Sequence, residues 1–326
     1  VPTFCRHNRL IQNCPICSRE QAIEQRPLIS SSAPRSTLPR PSRPPSPRRG
    51  PQSRDSSGVR VRRLERGADD GYRSGLVPGL KSSEEAERLA EELAFATTRL
   101  SRLASEPPGL YAEVADPTRE LEERIWTAFL IAYLCPLDEP DPFTEIAARR
   151  TSWASGEQPV LDGVRTGPRA AYDPSRGAQT LDAYRSWAAR SGSQGAAFAA
   201  EPGWNPQRRF ARVFERLALP GLHRDARFDL LVTLGGLRLF ELSAGALVLG
   251  GSDQVTVAAK RALGIGDPLL LERRAAALAA ACEVPLAAID LALYNWERGE
   301  RATVGLGPGA PVDPDALERA RGALGL

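Results

Sequence analysis

Seven residues of this 326-residue chain are cysteine or histidine, and four of them stand within thirteen positions of one another. Cys5, His7, Cys14 and Cys17 form a C-x-H-x6-C-x2-C spacing that supplies three thiolates and one imidazole. Tetrahedral Zn2+ accepts that donor set, and with every position filled by protein no place is left for a water or substrate. The metal expected here is structural Zn2+, and residues 1–26 read as a small zinc finger whose folding depends on it. Arg6, Arg9 and Arg19 suit a nucleic-acid contact, although a structural cap or a protein-contact module fits the same spacing.

A second set of chemistry-bearing residues lies between Trp204 and Gly266. Arg208, Arg209, Arg212 and Arg216 are interleaved with Phe210, Val213, Phe214 and Leu217 at helical spacing, and the run breaks at Leu219-Pro220-Gly221. Another apolar run, Phe228 to Leu234, follows at once, which spells helix, tight turn, helix. The amides of such a turn, with the N-terminus of the next helix, can hold a phosphate without a dedicated side chain. Six Arg between 204 and 228 stand against Glu215 and Asp225, a local balance of +4. A similar corner recurs at Leu263-Gly264-Ile265-Gly266, preceded by Lys260 and Arg261. Between the corners, Asp253 opens a helix, where it serves either as an N-cap or as a catalytic carboxylate. His223 is a turn residue or a base.

Leu219-Pro220-Gly221, a helix, and then Asp253-Gln254-Val255-Thr256 with Lys260, Arg261 and Gly264 behind it resemble the helix-hairpin-helix DNA glycosylase superfamily. More specifically, Trp126 to Pro142, Arg209 to Gly221, Phe228 to Leu242 and Ala259 to Trp296, behind a Cys/His finger, are similar to the bacterial alpha-glutamyl/putrescinyl thymine pyrophosphorylase family, clade 3. That resemblance implies a glycosylase-like helical domain acting on a modified pyrimidine in DNA. DNA contacts are then expected from Leu219, Pro220, Gly221, Arg208, Arg209, Arg212, Gly264, Gly266, Lys260 and Arg261, with Asp253 and His223 as catalytic candidates. Two departures matter. His223 replaces the second Gly of the usual loop, and Asp225 stands where lyase-type members carry a Lys. With only Lys81 and Lys260 in the whole chain, Schiff-base chemistry at that position is excluded.

Enzymes of this kind extrude the target base from the duplex before acting on it. Asp253 would then stabilise an oxocarbenium-like sugar or activate water, whereas a pyrophosphate leaving group at the thymine 5-methyl carbon would need Arg208, Arg209 or Arg212. A non-catalytic DNA-binding module is the remaining reading. Trp153, Trp187 and Trp204 could stack on a flipped base or fill the core, and Gln194 could read a base edge or sit in a plain interhelical loop.

The elements that must position these residues are almost all helical. Ser82 or Ser83 caps an amphipathic helix ending before Pro107, and a central core helix runs from near Pro117 to Leu134. Further helices follow at Leu269 to Ala281, Leu286 to Trp296 and Asp313 to Ala323, with a possible short hairpin around Leu237 to Leu249. Residues 27–80, rich in Pro, Ser and Arg, read as a disordered linker with too few apolar groups to offset the entropy of ordering. Residues 27–66 carry +8, ten Arg against Asp55 and Glu65, which favours salt-sensitive association with DNA or merely keeps the tether soluble. The finger adds +2 (four Arg, two Glu), so with +3 overall residues 67–326 carry −7. DNA would therefore be gripped by local arginines and not by bulk charge. The helical catalytic domain is placed at 81–326. No apolar run is long enough to span a bilayer, and with no signal peptide and two free thiols, Cys135 and Cys282, the expected compartment is the cytoplasm.

Overall fold

The computed structural model describes residues 68–326. The expected zinc ligands Cys5, His7, Cys14 and Cys17, the whole 1–26 finger and residues 27–67 of the linker lie outside the described residues. Twelve helices and no strand are found among the described residues, and the stretch around Leu237 to Leu249 runs as turns and extended chain. Val77 and Leu80 are fully buried, so the ordered chain begins before residue 81.

The first helix, α1 (Ser83–Ser105), buries Leu89, Leu93, Ala96 and Leu103, one stripe at helical spacing. Its N-terminus is held from outside: the Asp70 carboxylate accepts the Ser83 N–H at 2.9 Å, while neither Ser82 nor Ser83 caps with its own hydroxyl. Next come α2 (Leu110–Ala115), α3 (Leu121–Leu134) and α4 (Thr144–Arg149). From Ile125 to Leu134 every residue of α3 is buried, as a helix that is apolar all round must be. Trp126, Phe129 and Tyr133 form a stacked file along α3, and Tyr184 of α5 (Gly177–Arg190) lies against Phe129 with ring centroids 3.7 Å apart. After α6 (Gln194–Ala199) come α7 (Pro206–Arg216) and α8 (Arg224–Gly236), joined by the Leu219 to His223 corner. The chain closes with α9 (Gln254–Leu263), α10 (Pro268–Ala281), α11 (Leu286–Arg298) and α12 (Pro314–Leu324).

These helices gather in two groups. One surrounds α3, which packs on α2, α4, α6 and α8; the other surrounds α11 and α1, with α9, α10 and α12 against them. Helix α8 touches α1 as well as α3, and the N-termini of α8 and α9 come together where the groups meet. A loop from the first group is steered to that junction by Gly167, whose amide donates to the Cys135 carbonyl at 2.9 Å. A Cβ at 167 would lie 2.0 Å from the Pro136 carbonyl oxygen, so only glycine lets the chain pass close enough to carry Arg169 inward.

Candidate active-site cleft

Where the two groups meet there is a cleft of about 420 Å³, lined by the loop at Pro168, Arg169 and Ala170, the start of α8, the start of α9, and Tyr294 and Arg298 of α11. Its volume falls in the range of small-molecule sites, ~300–1,000 Å³. Of the residues expected to do chemistry, Asp253 and His223 both line it.

Asp253 is the N-cap of α9: Oδ1 accepts the Thr256 amide at 2.9 Å and Oδ2 accepts the Thr256 hydroxyl at 2.7 Å. The N-cap reading is the one the structure shows, and the same side chain lines the cleft. His223 is the N-cap position of α8 and exposed, but its side chain makes no capping bond. Among the described residues the amides of Arg224, Asp225 and Ala226 have no acceptor, so α8 presents three open donors and the positive end of its dipole at the cleft wall.

Beneath the cleft lies a buried ion network. Arg169 is wholly buried; its Nε and Nη2 bond Asp229 at 2.7 and 3.1 Å, and Nη2 bonds Asp290 at 2.7 Å. Arg224 pairs with Asp290, with Asp225 at 3.0 Å, and more distantly with Asp253, Nε to Oδ1 at 4.0 Å. Aromatic rings cover the guanidiniums: Arg169 lies 4.5 Å from the Tyr294 centroid and Arg224 4.7 Å from that of Phe228. Burial alone would lower both arginines, but Asp229 and Asp290 around Arg169, and Asp290 and Asp225 around Arg224, outweigh it and raise them. Asp290 itself is raised, because the loss of water around its carboxylate outweighs the pull of Arg224 and Arg169. Burial also pushes the Tyr294 phenol up to about 12, so it stays protonated and donates to the Pro168 carbonyl.

The expected DNA-contact residues are spread more widely. Pro220 is exposed at the corner, with Leu219 and Gly221 half-buried. Gly221 has φ +75, and a Cβ there would lie 2.2 Å from Thr180 Oγ1, so glycine is dictated by backbone and by packing together. Arg208 and Arg212 are exposed on α7, the first stacked 5.2 Å from the Trp204 ring and the second paired with Glu215 at 3.0 Å. Arg209, in contrast, is buried and donates to the Trp204 carbonyl and to Glu241. At the second corner Gly264 is the left-handed C-cap of α9, lying against Gly79 of the N-terminal segment, and Gly266 and Lys260 are exposed. Arg261 is bound by Glu85 and Glu297 over the face of Trp296. None of these ten residues lines the cleft.

The chain matches no family model, no curated protein and no solved structure.

Sequence reasoning passed over Arg169, Arg224, Asp229 and Asp290. A signal for two of them was present: Asp229 interrupts Phe228 to Leu234, and Asp290 interrupts Ile289 to Leu293, single charges inside apolar helical runs. A charge in such a place needs a buried partner. Which arginine supplies it depends on the tertiary path of the 167 to 170 loop. Trp187 is buried, Trp153 and Trp204 are half-buried under arginines, and none of the three lines the cleft; Gln194 is fully buried between Tyr184 and Glu122. The aromatic side chain of the cleft is Tyr294. Cys135 and Cys282 are buried thiols pushed up to about 12 and about 11, which removes them as nucleophiles.

Proposed function

We propose that the chain is a DNA-processing enzyme that receives an everted nucleotide, carrying a modified pyrimidine, in this cleft and hydrolyses its N-glycosidic bond. The observation that carries the reading is the position of Asp253: a carboxylate pinned by a helix cap, in a cleft that the helix N-terminus following the Leu219 to His223 corner also lines. Cleavage of a glycosidic bond develops positive charge on the sugar, which carboxylates stabilise. The cleft and its floor hold the carboxylates Asp225, Asp229, Asp253 and Asp290, groups of the kind that can face such a cation. No lysine lines the cleft, so the base leaves by water attack and not through an enzyme-bound imine.

Displacement of a pyrophosphate, the chemistry implied by resemblance to the thymine pyrophosphorylase family, draws less support. The arginines it calls on, Arg208, Arg209 and Arg212, lie outside the cleft, and of the three that line it Arg169 and Arg224 are engaged by carboxylates, which leaves Arg298 beside the Tyr294 ring. In the proposed arrangement the α8 N-terminus and the exposed Arg208 and Arg212 hold the DNA backbone, the basic 27–66 tether adds non-specific affinity, and Cys5, His7, Cys14 and Cys17 hold a structural Zn2+. The test is to incubate the full chain with hypermodified phage DNA and resolve released bases and nucleosides by mass spectrometry. Free base with an abasic product supports hydrolysis; an altered nucleoside left in the strand supports substitution; binding with neither product supports a non-catalytic module.

A further inference from the structure

We propose that Asp225, and not Asp253, is the catalytic carboxylate that takes the proton of the attacking water. The inference rests on the glycosidic-hydrolysis reading of the cleft and assigns a role within it. Both side chains line the cleft and are exposed to nearly the same degree, 17% for Asp225 and 19% for Asp253. Their hydrogen bonding differs. Both oxygens of Asp253 are engaged by Thr256, one through the amide and one through the hydroxyl, which fixes the carboxylate as a stationary charge. Asp225 accepts from Arg224 through Oδ1 alone, at 3.0 Å, and among the described residues nothing donates to its Oδ2.

A general base must come within hydrogen-bond reach of the proton it removes, about 2.6–3.2 Å between heavy atoms, and needs a free lone pair to do so. Oδ2 of Asp225 keeps all of its acceptor capacity, whereas each oxygen of Asp253 already gives part of its own to Thr256. Arg224 contacts both carboxylates, at 3.0 and 4.0 Å, and is itself anchored on Asp290, so the pair is presented to the cleft from one rigid support. Two carboxylates in unlike surroundings can divide the work, one holding charge and the other moving a proton. In the step proposed, water oxygen bonds to C1′ as the C1′–N bond breaks, and the bonding pair leaves with the base. The water proton passes to Asp225 Oδ2 and then to solvent, and the departing nitrogen takes a proton from solvent, so that water is added across the bond. Asp253 stays held at the start of α9 and faces the developing positive charge.

The experiment uses the full chain and duplex oligonucleotides carrying uracil or 5-hydroxymethyluracil, together with hypermodified phage DNA, with released base measured by mass spectrometry. Asp225→Ala is expected to lose about 100-fold or more in the rate of release, the scale of general-base catalysis, and to recover part of it when formate is added. Asp225→Asn keeps the shape of the side chain and an oxygen that can accept from Arg224, which Asp290 still pairs, so it should stay folded with a modestly lower thermal midpoint and bind intact DNA at least as tightly as wild type while losing release. A loss smaller than about tenfold in both variants, or one that formate does not relieve, overturns the assignment. If wild type releases no base from any of these DNAs, the hydrolytic reading fails and the assignment with it; if wild type is active and Asp225→Ala equally so, the assignment alone fails.

Discussion

Arg169 and Asp229 meet through two parallel hydrogen bonds, 2.7 and 3.1 Å long, at a point where the arginine has no exposure to solvent. The pair joins the 167 to 170 loop to α8, and Asp290 extends it to α11, so that three separate segments are pinned beneath the cleft. Breaking a buried pair by removing one partner strands the other charge, at a cost of about 3–5 kcal/mol. Arg169→Met should therefore lower the unfolding free energy by about that amount in a denaturant titration. Asp229→Asn should cost less, because Asp290 still partners Arg169.

A second prediction concerns Gly221. Alanine there would place a Cβ against Thr180 Oγ1 and hold a non-glycine residue at φ +75. Strain of this kind costs on the order of 1–3 kcal/mol. Gly221→Ala should lower the thermal midpoint and weaken affinity for DNA. Adding Thr180→Ala should restore only the steric part. Wild-type stability in the single variant would show that the corner is not held as described.

Acid sensitivity should trace in part to Glu123. Partial burial raises its carboxyl, but hydrogen bonds from the Ser152 hydroxyl and the Trp153 and Ala154 amides outweigh that and leave it below the ordinary glutamate value of 4.5. A carboxylate depressed in the folded state contributes stability that is present above its unfolded value and lost as pH falls through the folded one. Glu123→Gln should be less stable than wild type near neutrality and converge with it below the ordinary glutamate range, as read by thermal melts across an acid pH series.

The two buried thiols offer a check on packing. With Cys135 pushed up to about 12 and Cys282 to about 11, neither forms thiolate near neutral pH. Peptide mapping after a short treatment with iodoacetamide should find both unmodified in the native chain and both alkylated in denaturant. Rapid native labelling of either would contradict the burial.

Much of the helical architecture was legible in the residues. The apolar spacing of α1, α3, α7 and α8 and the break at Leu219 to Gly221 are local signals, and local physics decides them. Asp253 could be found the same way, since an aspartate before Gln254-Val255-Thr256 opens a helix. What local signals could not give is the company these residues keep. Arg169 lies in a loop with no periodicity, and its partners are 60 and 121 positions away in sequence. Arg209 and Arg261 look like DNA-facing cations on a helical wheel, yet each is bound by acids or carbonyls brought in from other elements. Residue type and spacing identify a charge; only the fold decides whether it is free.

The central claim is that Asp253 faces an everted nucleotide whose glycosidic bond is broken in this cleft, and the most direct measurement compares wild type with Asp253→Asn on hypermodified phage DNA. Wild type should release free base and leave abasic sites, while Asp253→Asn should bind the same DNA with similar affinity and release base about 100-fold more slowly or not at all. Equal release by the two proteins, or release by neither from any DNA they bind, would contradict the account.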